Sequence, residues 1–103
     1  MSPRVLEMRI IKKHEYWLPN RDRVIVEVLD VGNPLYKDGI MYTFRCMDDA
    51  GLQLFAIENS HGQPHVHRGA KKEIVDYGWK TAIMEFDNMV KAHREKITRG
   101  MIW

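Results

Sequence analysis

Three of the chain's five histidines, His61, His65 and His67, fall within seven positions of the stretch ENSHGQPHVHRGAKK, residues 58–72. The same stretch runs on into Arg68, Lys71 and Lys72. Imidazole titrates near neutrality, so one ring can accept a proton from a ribose 2′-hydroxyl while a second protonates the leaving oxygen. Such a reaction also needs fixed positive charge on the phosphate. Arg68 offers a bidentate fork, and Lys71 and Lys72 add charge beside it. Glu58 or Asn59 can orient an imidazole, and Tyr42, Tyr77 or Trp79 can stack a base, as single-stranded RNA recognition often requires. The residue types therefore nominate His65 and His67 as an acid–base pair with His61 as alternate and Arg68 as phosphate clamp. Lys71, Lys72, Tyr42 and Arg45 are the candidate substrate contacts. No metal is needed for that chemistry.

Two other readings use the same residues. On an extended backbone "HVH" sends His65 and His67 to one side, where two imidazoles with His61 or Glu58 form a candidate zinc site. No cysteine pair accompanies them, and the helical segment offers His93 alone. Alternatively the stretch is a non-catalytic surface that docks RNA or a protein. Arg45 has a plain structural role open to it as well, in a surface or interstrand charge pair.

Which of these holds depends on the elements that carry the residues. The first two-thirds of the chain has period two. In "RVLEMRII" Leu6, Met8 and Ile10 alternate with Glu7 and Arg9, predicting a half-buried strand. "RVIVEVLD" has Val24, Val26 and Val28 on one side and Ile25, Glu27 and Leu29 on the other, which suits a central strand. "IMYTFRCM" places Ile40, Tyr42, Phe44 and Cys46 opposite Thr43 and Arg45. "DDAG", Asp48 to Gly51, is a turn signal joining it to "LQLFAIEN" as an antiparallel hairpin. Gly32, Pro34 and Gly39 mark a longer loop, and a brief fifth strand is expected around Val66 or around 73–75. Trp17 is expected to pack where a strand begins.

From Trp79 the period changes. Ala82, Ile83, Phe86, Met89, Val90 and Ile97 have helical spacing, with Asp76 as candidate cap and Gly100 as terminator. Glu85 and Asp87 precede Lys91, Arg94 and Lys96, an order that suits the helix dipole. The expected architecture is α+β: an antiparallel β-meander of four to five strands, over about 4–76, with one long C-terminal helix, about 78–98, packed across one face.

At 103 residues the chain predicts a single domain, 1–103, large enough for one core. With 45% hydrophobic and 29% charged residues, the composition argues against disorder. A net charge of +2 is too small to mark a nucleic-acid binder, so that role has to come from a local patch. The single cysteine, Cys46, sits in an apolar run and reads as a buried, inert thiol. Arg4, Glu7 and Arg9 interrupt the start of the chain, and nothing approaches the ~20 apolar residues of a membrane helix. A soluble cytoplasmic protein is expected. The terminal "GMIW" would cover a sheet edge or contact a second copy, giving a homodimer.

The order "RVIVEVLDV", "YTFRCMDDAGLQLFAIENSHGQPHVHRGAKKEIVDY" and then an amphipathic helix resembles the TumE family of toxin–antitoxin toxins, over residues 15–98. Its most specific part is the tyrosine-bearing strand, the hairpin, an acidic residue followed by Asn59, and the histidine loop leading into basic residues. The chain departs from that pattern in carrying Glu58 where the family has Asp, and a "GQP" spacer in place of a denser histidine run. The resemblance implies the toxin of a bacterial or archaeal two-gene module, countered by a small helix-turn-helix antitoxin. By analogy with other compact sheet-plus-helix toxins, it also implies activity against RNA.

Overall fold

The computed structural model describes residues 8–100. Residues 1–7, with the first part of the "RVLEMRII" pattern, and residues 101–103 of the "GMIW" tail lie outside them. Six strands form one sheet in chain order: β1 (Arg9–Trp17), β2 (Arg23–Asp30), β3 (Ile40–Met47), β4 (Gln53–Glu58), β5 (His65–Arg68) and β6 (Lys71–Ile74). Every neighbouring pair is antiparallel. One helix, α1 (Trp79–Thr98), follows and packs over β3 and β4. The class is α+β, a meander crossed by a C-terminal helix.

The sheet has six strands because both candidate regions for a fifth become strands, joined by a two-residue turn at Gly69 and Ala70. Gly69 takes φ +59° there, a left-handed conformation that glycine adopts at no steric cost. At the other edge β1 continues to Trp17 through Lys12, Lys13 and Glu15. Its polar sequence tolerates this because an edge strand is half-solvated, and a bulge at Ile11 shifts its register against β2. Trp17 is 61% exposed, and Leu18 beside it packs into the core instead.

Pairing sorts the side chains onto two faces. Val24, Val26, Val28, Tyr42, Phe44, Cys46, Ile57 and Val66 are buried on the face that meets α1. The helix presents Ala82, Phe86, Val90 and Ile97 to them. Phe86 sits 5.7 Å from both Phe44 and Phe55, centroid to centroid. A fully buried aromatic contributes roughly 1.5–3 kcal/mol; Phe44 and Phe86 are fully buried and Phe55 partly so, and together the three rings fix the helix on the sheet. The helix starts one turn-residue later than expected. Gly78 occupies the N-cap without any side-chain hydrogen bond, so Asp76 is not the cap. Gly100, at φ +68°, follows the last turn, and its N–H bonds the Ile97 carbonyl.

Two polar devices close the β3–β4 hairpin. At the tip, the Asp48 carboxylate accepts from the Ala50 and Leu52 N–H groups, both at 2.9 Å. At the far end, β4 stops at Glu58 while β3 continues towards Ile40. The Asn59 amide fills the gap: its Oδ1 accepts from the Tyr42 N–H at 2.7 Å, and its Nδ2 donates to the Ile40 carbonyl at 2.9 Å. This side chain, 1% exposed, does in the ladder what a peptide unit would do. Asn59→Ala leaves a buried donor and acceptor of β3 unpaired and is expected to destabilise the fold by about 3 kcal/mol. Urea unfolding of the two proteins measures the difference.

Candidate functional site

The pleat of β5 decides which of the chemistry-bearing residues meet. His65 pairs with Glu58 on β4 and Ile74 on β6, and His67 pairs with Ala56 and Lys72. Extending the second row across β3 adds Arg45, opposite Ala56. The two imidazoles therefore lie side by side on the sheet face away from α1, with ring centroids 6.0 Å apart and planes inclined by 45°. His67 Nε2 lies 3.4 Å from Glu58 Oε1. Ala56, with only a methyl group, separates Arg45 from His67 and is itself wholly buried. The Arg45 Nε is also buried and finds no hydrogen-bond partner among the described residues.

Glu58 anchors this arrangement. Its carboxylate accepts from the Ser60 N–H at 2.8 Å and from the Ser60 hydroxyl, and it faces His67 with its other oxygen. Burial disfavours its ionised form, yet the bonds from Ser60 and the contact with His67 outweigh that cost and hold the carboxyl below its ordinary value.

The same alternation carries Arg68 elsewhere. It pairs with Phe55, a residue packed under Phe86, so Arg68 belongs to the helix face and does not join the imidazoles. Its neighbours across a cavity of about 300 Å³ are Phe55, Met89, His93 and Lys96. Lys71, its partner on β6, shares that face, whereas Lys72 stays with His67. His61 is exposed in the turn between β4 and β5.

Two further expected roles are corrected. Tyr42 is 2% exposed, stacks on Phe44 at 5.2 Å and donates its hydroxyl to the Tyr77 carbonyl at 2.8 Å, so it is a core residue and has no face to offer a base. Burial also pushes its hydroxyl well above the ordinary value, keeping it a donor. Asn59 is fully committed to β3 and orients no imidazole.

A second polar cluster, which no local motif marks, lies under the helix. His93 Nε2 is 2.6 Å from Asp22 Oδ2. Asn20 Nδ2 donates to the same oxygen at 2.9 Å, and the Asn20 side-chain carbonyl accepts from the Asp22 N–H at 3.1 Å. Cys46 completes the group. Burial, reinforced by the Asp22 charge, pushes its thiol up to about 12. Among the described residues, this is the one set of three metal-ligating side chains whose donor atoms all lie within 4.8 Å of one another. The trio His61, His65 and His67 is not gathered in that way. The only sequence signals for the cluster were a histidine on the apolar stripe of the helix and a lone aspartate in a turn.

The molecule is thus an α+β meander protein with a histidine–glutamate face on one side of the sheet and an aspartate–cysteine–histidine cluster on the other. Among the described residues, no helix is long and apolar enough to cross a membrane. Comparison with protein-family models, with curated proteins and with solved structures finds no match to the chain.

Because Glu58 is held below its ordinary value of 4.5, its ionised form favours the folded state. That contribution is complete above the ordinary value and is lost as pH falls through the lowered one. Glu58→Gln is therefore expected to be less stable than wild type at neutral pH and to show a shallower loss of stability below pH 4.5. Thermal unfolding followed across that range checks both.

Proposed function

We propose that the sheet face around His65 and His67 is an RNA-directed acid–base site, and that the chain is a toxin-type endoribonuclease of a toxin–antitoxin pair. The observation that carries this reading is the placement of two imidazoles 6.0 Å apart on one sheet face, with Arg45 and Lys72 in the cross-strand row of His67. His65 removes the proton of a ribose 2′-hydroxyl. The freed oxygen attacks the adjacent phosphorus, and the bond to the 5′-oxygen breaks. His67, whose Nε2 lies 3.4 Å from the Glu58 carboxylate, gives that leaving oxygen its proton. The products are a 2′,3′-cyclic phosphate and a free 5′-hydroxyl, with one proton taken and one returned.

The charge on the phosphate is met by Arg45 and Lys72, which replace Arg68 in that role. Arg45 is half-buried on that face, and its guanidinium offers a phosphate a bidentate fork. Arg68 and Lys71, on the opposite face of β5 and β6, extend the positive surface around the β6 edge, along which a longer RNA runs. The likeness to the TumE family agrees with this reading. It adds a small DNA-binding antitoxin as partner and the cytoplasm as site of action.

The test is cleavage of a single-stranded RNA by purified protein, with binding measured in parallel. His65→Ala and His67→Ala are each expected to slow cleavage by about 10²–10⁴-fold, the worth of one general acid or base, with RNA affinity nearly unchanged. Arg45→Ala should lower both. A double histidine variant that cleaves RNA, or arrests growth, as well as wild type removes these roles. Tight binding with RNA left intact by wild type points instead to a non-catalytic RNA-binding module.

A further inference from the structure

On the helix side of the sheet, three elements distant in sequence bring together a carboxylate, a thiol and an imidazole. Asp22 comes from the β1–β2 turn, Cys46 from β3 and His93 from α1. Asp22 is 5% exposed, Cys46 is fully buried and His93 is half-buried. We propose that Asp22, Cys46 and His93 form a binding site for zinc(II) or another first-row ion of similar softness. This site is separate from the histidine face and does not rest on the RNA reading.

The donor set fits that class of ion. Thiolate sulfur and imidazole nitrogen favour borderline-soft ions such as zinc, and exclude magnesium and calcium, which take oxygen donors. Charge also balances. A carboxylate and a thiolate around a dication sum to zero, which offsets part of the cost of burying them. Coordination breaks the S–H bond of Cys46 and releases its proton to solvent as the S–metal bond forms.

The geometry needs a small adjustment. Donors bound to zinc at about 2.0–2.3 Å stand roughly 3.5 Å apart in a tetrahedron. Asp22 and His93, now hydrogen-bonded at 2.6 Å, must part by about an ångström, and Cys46 must draw in from within 4.8 Å. The surroundings already orient the ligands. Asn20 holds the Asp22 carboxylate, and Phe55 packs edge-on against the His93 ring at 5.5 Å, as supporting residues of metal sites commonly do. Of the three ligands only His93 lines the cavity that it shares with Arg68 and Lys96. That is the side on which the fourth ligand, a water or an anionic oxygen drawn by those two cations, completes the shell.

Cobalt(II) is the direct probe, because a thiolate bound to it gives a near-ultraviolet charge-transfer band. Cys46 is the chain's single cysteine, so that band can come from this site alone, and untagged wild-type protein suffices. The band is expected to saturate at one cobalt per chain and to be bleached by one equivalent of zinc. It should persist in the His65→Ala/His67→Ala double variant, disappear in Cys46→Ser, and need at least tenfold more metal in His93→Gln. Absence of the band in folded wild-type protein at millimolar cobalt overturns the proposal. So does stoichiometric zinc that Cys46→Ser retains and the double histidine variant loses.

Discussion

The two-residue repeat of the extended backbone governs this molecule more than any single contact. In β5 the four residues His65, Val66, His67 and Arg68 are dealt alternately to opposite faces, and their pairing with β4 leaves no freedom to do otherwise. Val66 must enter the core beside Ile57, so the two histidines must face outwards and Arg68 must lie against the helix side. A basic run that looks continuous in one dimension is therefore split between two surfaces with different chemistry.

The two faces are tied together at the end of β4. Glu58 and Asn59 are adjacent, yet one serves the histidine face and the other the hydrogen-bond ladder. Asn59 ends β4 without orphaning the backbone of β3, and the turn it begins places Ser60 where both its N–H and hydroxyl reach Glu58. That carboxylate, only 8% exposed, would be an expensive group to bury without those donors. Satisfied, it becomes the fixed point against which His67 rests. Site and scaffold here share the same few polar bonds.

Much of the architecture was legible in the residue order, for reasons that can be named. Alternation over 23–30 and 40–47 matches β2 and β3 because both are central strands with one face fully buried. The Asp48–Gly51 turn is marked because its aspartate caps the turn N–H groups and its glycine takes φ +88°. The helix was visible through Ala82, Phe86, Val90 and Ile97. Edge elements were less visible: β6 is exposed at every residue, so no burial pattern exists to detect, and the polar part of β1 is held by pairing rather than by side-chain burial. Of the site, the shared direction of His65 and His67 could be read locally. The exclusion of Arg68 and Tyr42 required knowing which face the helix covers. The proximity of Asp22, Cys46 and His93 depends wholly on long-range packing, which spacing in a sequence does not encode.

The connectivity has a kinetic consequence. Because each strand pairs with the one before it, no pairing has to wait for a distant segment, and each closure spans a short loop with a modest entropic cost. Sheets usually assemble slowly when their partners lie far apart along the chain. This one can grow hairpin by hairpin, from the tight Asp48–Gly51 turn outwards, and receive its helix last as a lid over β3 and β4. Such an order leaves the cysteine open to solvent until the final docking step, when Phe86 and His93 arrive together on α1 and seal it.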